Sequence, residues 1–271
     1  MQHNNGNLAL LILILVFAMI VTLSIHELGH FVFAKMAKVH VKEFSIGIGP
    51  TLFSFYSHKK NMIFSFRIIL AGAFVMLESD KLRQAYLDDP NSKNYNFYIM
   101  PKPKGTYSLE KVAYWKQMLI MFGGILFNFL GFLVFLGIYS WIFKDSNSTL
   151  DLGNFFKNIF INIGDAFVVH ELWRPVSPGG GSGGGHVAPF ASREANWQYL
   201  LLSITSVNAA TGVFNLLPIA PLDGSKIFQY TYERIAKKPV NEKIWTITTI
   251  IGVLIVLWIS IGSIINQIKI G

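Results

Sequence analysis

The sequence has no cysteine and few charged residues. Without thiols the chain can form no disulfide, and it can offer a metal ion only histidine and carboxylate ligands. Charged residues make up 14% of the 271 positions and hydrophobic residues 52%, a balance that excludes an ordinary soluble domain and favours a bilayer as the solvent. A phosphate-binding loop is also excluded, because Gly47, Gly49 and Pro50 complete no G-x-G-x-x-G motif.

Long apolar runs predict a membrane α-helical fold with about four transmembrane helices. Residues 8–35, 118–143 and 244–265 are each long enough to cross about 30 Å of hydrocarbon. Residues 197–222 are uncharged but rich in Ser, Thr and Asn, and we count them because polar residues within a span usually face a bundle interior or a site. The first run lacks a basic leader and a small-residue cleavage site, which indicates a retained helix rather than a signal peptide.

The net charge of +8 is distributed unevenly along the chain. Thirteen Lys and Arg residues lie from Lys35 to Lys116, four between the second and third spans, and five between the third and fourth. By the positive-inside rule this predicts a multi-pass cell-membrane protein with its N-terminus outside and its first and third connections in the cytoplasm. The basic excess is therefore explained by topology, and no nucleic-acid partner is expected.

The connections between the spans carry their own patterns. Residues 44–70 change to a period of two around the polar residues 57–61, which predicts a β-hairpin after the first helix. Residues 79–105 are polar and contain three prolines, as is typical of a surface loop, and residues 108–116 predict a short interfacial helix. Residues 152–167 have helical amphipathic spacing, which indicates a helix on the outer membrane face or a gate that faces substrate.

The pentapeptide His26-Glu27-Leu28-Gly29-His30 is the most informative motif. Positions i and i+4 of a helix share a face, so His26 and His30 can bind one metal ion while Glu27 stands beside it as a base. Two histidines do not complete a catalytic zinc site, which needs a third protein ligand and an open position for water.

Asp223 is the candidate third ligand. It is the only acidic residue within or bordering an uncharged span downstream of the motif. Pro218 and Pro221 forbid a regular helix just before it, and irregular backbone at membrane depth is tolerated only where it lines a protein cavity. The alternative interpretation is that Asp223 caps a helix at the membrane interface.

Three motifs together resemble the site-2 protease family of intramembrane zinc metalloproteases, and within it the bacterial RseP-like group. They are H-E-L-G-H, Gly124-x-x-x-Asn128, and N-L-L-P-x-x-P-L-D-G over residues 215–224, and the resemblance covers residues 8–143 and 195–266. It implies that His26, His30 and Asp223 bind Zn²⁺, that Glu27 activates water, and that Asn128 and Asn215 orient the substrate backbone. Both asparagines have an alternative role as hydrogen-bonding groups between helices. The implied substrates are single-span transmembrane proteins in the lipid bilayer, and residues 44–78 look like a membrane-associated β-hairpin region.

Two departures from the family pattern matter. No proline follows Gly124, which puts a local helix break there in doubt. The outer segment 145–195 is too short for the PDZ module that many relatives carry. Within it the Gly/Ser tract 178–185 resembles an engineered flexible linker that could replace such a module. We therefore expect three regions: residues 1–143 with the first two helices, the outer segment 144–195, and residues 196–271 with the last two helices.

Two rival functions remain open from the sequence. One is a membrane-anchored H-E-x-x-H peptidase that cuts soluble or misfolded chains and takes a glutamate, Glu78 or Glu194, as its third ligand. The other is a non-catalytic scaffold or transporter in which the motif is a polar relay. The histidines away from the motif are expected at the surface: His40, His58, His170 and His186.

Overall fold

A computed structural model describes residues 2–91, 97, 99–143 and 197–270. In chain order the elements are α1 Gln2–Met36, β1 Val41–Ser57, β2 Met62–Leu77, α2 Asp80–Asp88, a 3-10 helix Leu109–Lys111, α3 Tyr114–Ile142, α4 Trp197–Phe214, α5 Asp223–Ala236 and α6 Glu242–Ile270. The amphipathic segment and the Gly/Ser tract expected between α3 and α4 lie outside the described residues.

Helices occupy all four predicted spans, but two of them meet the length and hydropathy criteria for crossing a membrane. Within the described residues these are Ile12–Met36 in α1 and Tyr114–Ile142, which is α3. Helix α4 ends at Phe214, short of the predicted boundary at 222, because the chain leaves the helix before its two prolines. The count of four spans therefore stays a prediction.

Glycines allow α1 and α3 to pack with their backbones in contact. A Cβ atom built on Gly29 would lie 2.1 Å from the carbonyl oxygen of Gly123. A Cβ atom built on Gly123 would in turn lie 2.7 Å from the carbonyl oxygen of Gly29. Small residues allow such an approach because no side chain separates the two helix axes. The crossing places the H-E-x-x-H face of α1 directly against α3.

The predicted hairpin is present as an antiparallel pair of strands, β1 and β2. Gly47 and Gly49 have φ values of 91° and 83°, which favour glycine, and a Cβ atom on Gly47 would lie 2.6 Å from the Arg67 carbonyl oxygen. The chain bends at these two glycines. The first part of β1 therefore has residues of β2 on both sides, since Phe44 is opposite Phe64 and also opposite Val75. The last part of β2 thus lies along one edge of the sheet.

Two local predictions in the first connection were wrong. The segment expected to be a surface loop contains α2, because Ser79 caps that helix by accepting a hydrogen bond from the Leu82 amide at 3.3 Å. The expected interfacial helix is a single 3-10 turn, Leu109–Lys111, and α3 begins soon afterwards at Tyr114.

His40 is buried, with 3% of its surface exposed, although a surface position was expected. Its backbone N–H donates to the Tyr107 carbonyl oxygen at 3.0 Å, which holds His40 against the segment just before the 3-10 helix. The pKa of His40 is lowered to about 4, mainly by burial and to a smaller extent by the positive charges of Lys35, Lys42 and Lys102. His40 is therefore neutral at physiological pH.

Candidate metal centre

Three metal-ligating atoms converge where α1 meets the start of α5. The Nε2 atoms of His26 and His30 lie 3.1 Å apart, and each lies 2.9 Å from Oδ2 of Asp223. All three side chains are buried. The two histidines are one helical turn apart on α1, and Asp223 is the first residue of α5. The structure thus brings together three residues that the sequence singled out as candidate ligands.

The donor set and the space around it fit a zinc ion. Tetrahedral zinc with metal–ligand bonds of about 2.0–2.1 Å separates neighbouring donor atoms by about 3.3 Å. The separations of 2.9–3.1 Å at this site are within a few tenths of an ångström of that value. Gly124 keeps the space open, because a Cβ atom there would lie 2.5 Å from Nε2 of His30 and 2.7 Å from Nε2 of His26.

The segment between α4 and α5 folds back on itself and sets the position of Asp223. The Gly224 amide donates to the carbonyl oxygen of Asn215 at 2.8 Å, which closes the loop that contains both prolines. A Cβ atom on Gly224 would lie 2.3 Å from the carbonyl oxygen of Leu217, so only glycine fits there. Asn215 remains partly exposed at the end of α4, and its side-chain amide donates to the Thr211 carbonyl oxygen at 3.0 Å.

Helix α3 contacts the second ring nitrogen of both histidines. Nδ1 of His30 donates to the carbonyl oxygen of Ile120 at 2.7 Å, which leaves its Nε2 free to act as a ligand. Nδ1 of His26 lies 3.0 Å from the side-chain amide of Asn128. Asn128 thus contacts a candidate ligand. It is also fully buried, so it has no surface exposed for a substrate in this structure.

Glu27 borders a cavity of about 130 Å³ beside the three converging atoms. Its carboxylate and the ring nitrogens of both histidines lie within 4.8 Å of one another. The cavity joins the converging polar groups to the edge of β2, and its walls are Glu27, His30, Phe74, Val75, Leu77, Met121, Asp223 and Lys226. A chain that enters the cavity would therefore meet the metal centre and the sheet edge together.

Some features of the site were not found from the sequence. The Nζ atom of Lys226 lies 3.4 Å from Oδ1 of Asp223. The only sequence signal for this contact is the three-residue spacing of the two side chains on a helix. The Ile120 carbonyl oxygen is a backbone atom and has no sequence signal. The edge near the site is formed by Phe74, Val75 and Leu77, which lie beyond the alternating residues 44–70 and inside the 44–78 region that the resemblance covered.

The rival third ligands are not at the centre in the part of the chain that the structure describes. Glu78 is fully buried and forms ion pairs with Lys42 at 3.1 Å and Arg83 at 3.4 Å. These ion pairs compensate the buried charge of Glu78. Glu194 lies outside the described residues.

The model of peptidase family M50 matches residues 14–259, which is most of the chain. The chain belongs to peptidase family M50. This is the site-2 protease family, whose members use zinc, and the two apolar helices α1 and α3 fit a membrane protein. The matched range includes the histidine pair, Glu27 and Asp223.

Individual relatives are similar to parts of the M50 chain. Proteins named "Putative zinc metalloprotease" from Thermotoga maritima and Borreliella burgdorferi are 33% and 35% identical to it over 128 and 132 residues, or 46% and 47% of this chain. Zinc metalloprotease RasP of Oceanobacillus iheyensis is 45% identical over 67 residues, or 25% of this chain. These matches cover 22%, 27% and 15% of the three relatives, so the chain matches less than a third of the length of each.

Proposed function

We propose that this chain is an intramembrane endopeptidase that cleaves transmembrane segments of single-span membrane proteins. In this proposal His26, His30 and Asp223 hold the zinc ion and Glu27 is the catalytic base. The observation that carries it is the convergence of three buried donor atoms at 2.9–3.1 Å, with Glu27 on the wall of the adjoining cavity. The regions 1–143 and 196–271 each supply part of the site, and the outer segment 144–195 connects them.

The side chains divide the work of peptide hydrolysis. Zinc, when bound, polarises the scissile carbonyl and lowers the pKa of a water molecule toward about 7. Glu27 would accept a proton from the attacking water as the water oxygen bonds to the scissile carbonyl carbon, and would deliver that proton to the amine nitrogen as the C–N bond breaks. The Ile120 carbonyl oxygen holds the proton of His30 on Nδ1, so that Nε2 presents its lone pair to the metal.

A transmembrane helix must unwind before its scissile carbonyl can reach the centre. The helix satisfies its backbone groups internally, and each group left unpaired in hydrocarbon costs several kcal/mol. The β2 edge on the cavity wall offers backbone partners to an unwound segment, which would add as a further strand. We further propose that Asn215, which is partly exposed after the end of α4, pairs with a substrate backbone group that the edge does not reach.

Strand addition predicts that a proline in the β2 edge slows cleavage. The Glu78 amide donates to the His40 carbonyl oxygen and so points toward the β1 side. Successive residues of a strand alternate in direction, so the Val75 amide, three residues earlier, points away from β1. We expect Val75→Pro to reduce turnover of a transmembrane substrate by about 2- to 10-fold, the value of one net hydrogen bond, with zinc content unchanged. Initial rates in proteoliposomes and metal analysis measure both quantities.

Val75→Thr is the matched control, because it keeps the amide and the branched side chain. It should cleave at nearly the wild-type rate, whereas Asn215→Ala should be slowed like the proline variant. Wild-type rates for both Val75→Pro and Asn215→Ala would show that the substrate unwinds without help from this edge.

Topology gives a second prediction. The basic asymmetry predicts that the connection between α1 and α3 lies in the cytoplasm, and the site near the end of α1 would then lie toward that side. The native chain has no cysteine, so single cysteines report cleanly. In intact cells Lys104→Cys should be protected from a membrane-impermeant thiol reagent, and Ser148→Cys should be labelled. The reverse labelling pattern would overturn the orientation.

Substrate class is tested by direct competition between two kinds of chain. A single-span protein in a bilayer should be cut by the wild-type chain, while an unfolded soluble protein of similar length should be cut far more slowly. Faster cleavage of the soluble chain would favour the peptidase that acts on misfolded proteins. Normal folding without any bound zinc would favour the scaffold or transporter.

A further inference from the structure

We propose that Asn128 is a positioning residue for the metal centre: its side-chain oxygen holds the proton of His26 on Nδ1 so that Nε2 can bind zinc. The inference rests on the proposed ligand role of His26. It replaces the substrate-binding role that the family resemblance implies for Asn128.

Burial and contact both point to this role. Asn128 is fully buried in α3, and its side-chain amide lies 3.0 Å from Nδ1 of His26. The Oδ1 atom of Asn128 has no hydrogen-bond partner among the described residues. Oδ1 is therefore an available acceptor once the amide turns it toward the ring of His26.

The proton on His26 decides which end of the Asn128 amide faces the ring. A neutral imidazole carries one proton, and a ring that gives Nε2 to a metal must carry that proton on Nδ1. An N–H group needs an acceptor, whereas Nδ2 of Asn128 is itself a donor. Rotation of the amide by half a turn exchanges its nearly isosteric oxygen and nitrogen, and it then gives Nδ1 of His26 the acceptor it requires.

His30 shows the same arrangement with a backbone atom. Its Nδ1 donates to the Ile120 carbonyl oxygen at 2.7 Å, also on α3 and about two turns before Asn128. One helix therefore supplies an acceptor behind each of the two histidines. Partners of this kind fix the tautomer and ring orientation of a ligand, and their loss typically lowers metal affinity about 10- to 100-fold.

The bundle contains a matched control for Asn128. Asn208 in α4 is also fully buried, and it donates from Nδ2 to the Thr22 hydroxyl at 3.0 Å. Thr22 lies one turn before His26 on α1 and is not a candidate ligand. Replacement of Asn208 therefore removes a buried interhelical hydrogen bond of the same kind without touching the metal centre.

The test is Zn²⁺ affinity, measured by competition with a chromophoric chelator on the whole chain without substrate. We expect Asn128→Leu to weaken binding about 10- to 100-fold and Asn128→Asp, which keeps an acceptor, to stay within a few-fold of wild type. Asn208→Leu should also bind Zn²⁺ within a few-fold. The Co²⁺ absorption bands should change in Asn128→Leu and remain in Asn208→Leu, and Asn128→Ala serves if the leucine variant does not fold.

Each outcome separates the inference from the proposed function. Wild-type affinity in Asn128→Leu, an equal loss in Asn208→Leu, or failure of Asn128→Asp to restore binding would overturn the positioning role. His26→Ala is the reference for the centre itself. If His26→Ala kept wild-type affinity, the ligand assignment would fall; if it lost affinity while Asn128→Leu did not, only the positioning role would fall.

Discussion

Replacement of Glu27 by glutamine is expected to abolish cleavage while zinc remains bound. Glutamine keeps the size of the side chain but cannot accept a proton, and a positioned general base typically contributes about 10²- to 10⁴-fold in rate. Glu27 lies beside the three converging donor atoms and is not one of them. Turnover of a transmembrane substrate and zinc content of the same purified sample measure the two effects together.

The ligand variants form the opposite half of this prediction. His26→Ala, His30→Ala and Asp223→Ala should each lose zinc as well as activity, because every one removes a donor atom from the centre. Normal zinc content in Asp223→Ala would refute the third ligand. Loss of zinc in Glu27→Gln would mean that Glu27 binds the metal and is not only a base.

Gly124→Ala should eliminate zinc binding through a single methyl group. The new Cβ atom would lie 2.5 Å from Nε2 of His30 and 2.7 Å from Nε2 of His26, distances at which the rings must move. The backbones of α1 and α3 are already in contact at Gly29 and Gly123, so the helices cannot separate without loss of packing. We expect zinc content near zero and cleavage reduced at least about 100-fold, because a bound metal is required for the chemistry.

Gly137→Ala in the same helix is the matched control. A Cβ atom on Gly137 would meet nothing within 4 Å, and alanine is favoured over glycine in a helix by up to about 1 kcal/mol. This variant should bind zinc and cleave normally, with equal or higher thermal stability. Normal zinc content in Gly124→Ala would show that α3 does not approach the two histidine rings as closely as these distances indicate.

The sequence predicted the parts of the site that depend on local spacing. The i, i+4 rule placed His26 and His30 on one face, and the structure has their Nε2 atoms 3.1 Å apart. The two prolines before Asp223 predicted a helix break at a buried carboxylate, and α4 does end before them, with Asp223 opening α5. Alternation over residues 44–70 likewise predicted the antiparallel strands.

Features set by contacts between distant segments were not predictable in the same way. The bend at Gly47 and Gly49 moves the sheet edge to the end of β2, which a period of two cannot reveal. The burial of Asn128 against His26 arises from the crossing of α1 and α3, which neither spacing nor resemblance predicted. Helix α2 was missed because its only strong signal is the cap at Ser79, within a segment that is otherwise polar.

The most direct test of intramembrane cleavage is the mass of the products. The purified wild-type chain and Glu27→Gln should each be reconstituted in lipid vesicles with a single-span substrate that carries a proline in its transmembrane segment. We predict two fragments from the wild type whose masses place the cut inside that segment, and none from Glu27→Gln. Cuts only in the parts of the substrate outside the membrane, or identical fragments from both proteins, would contradict it.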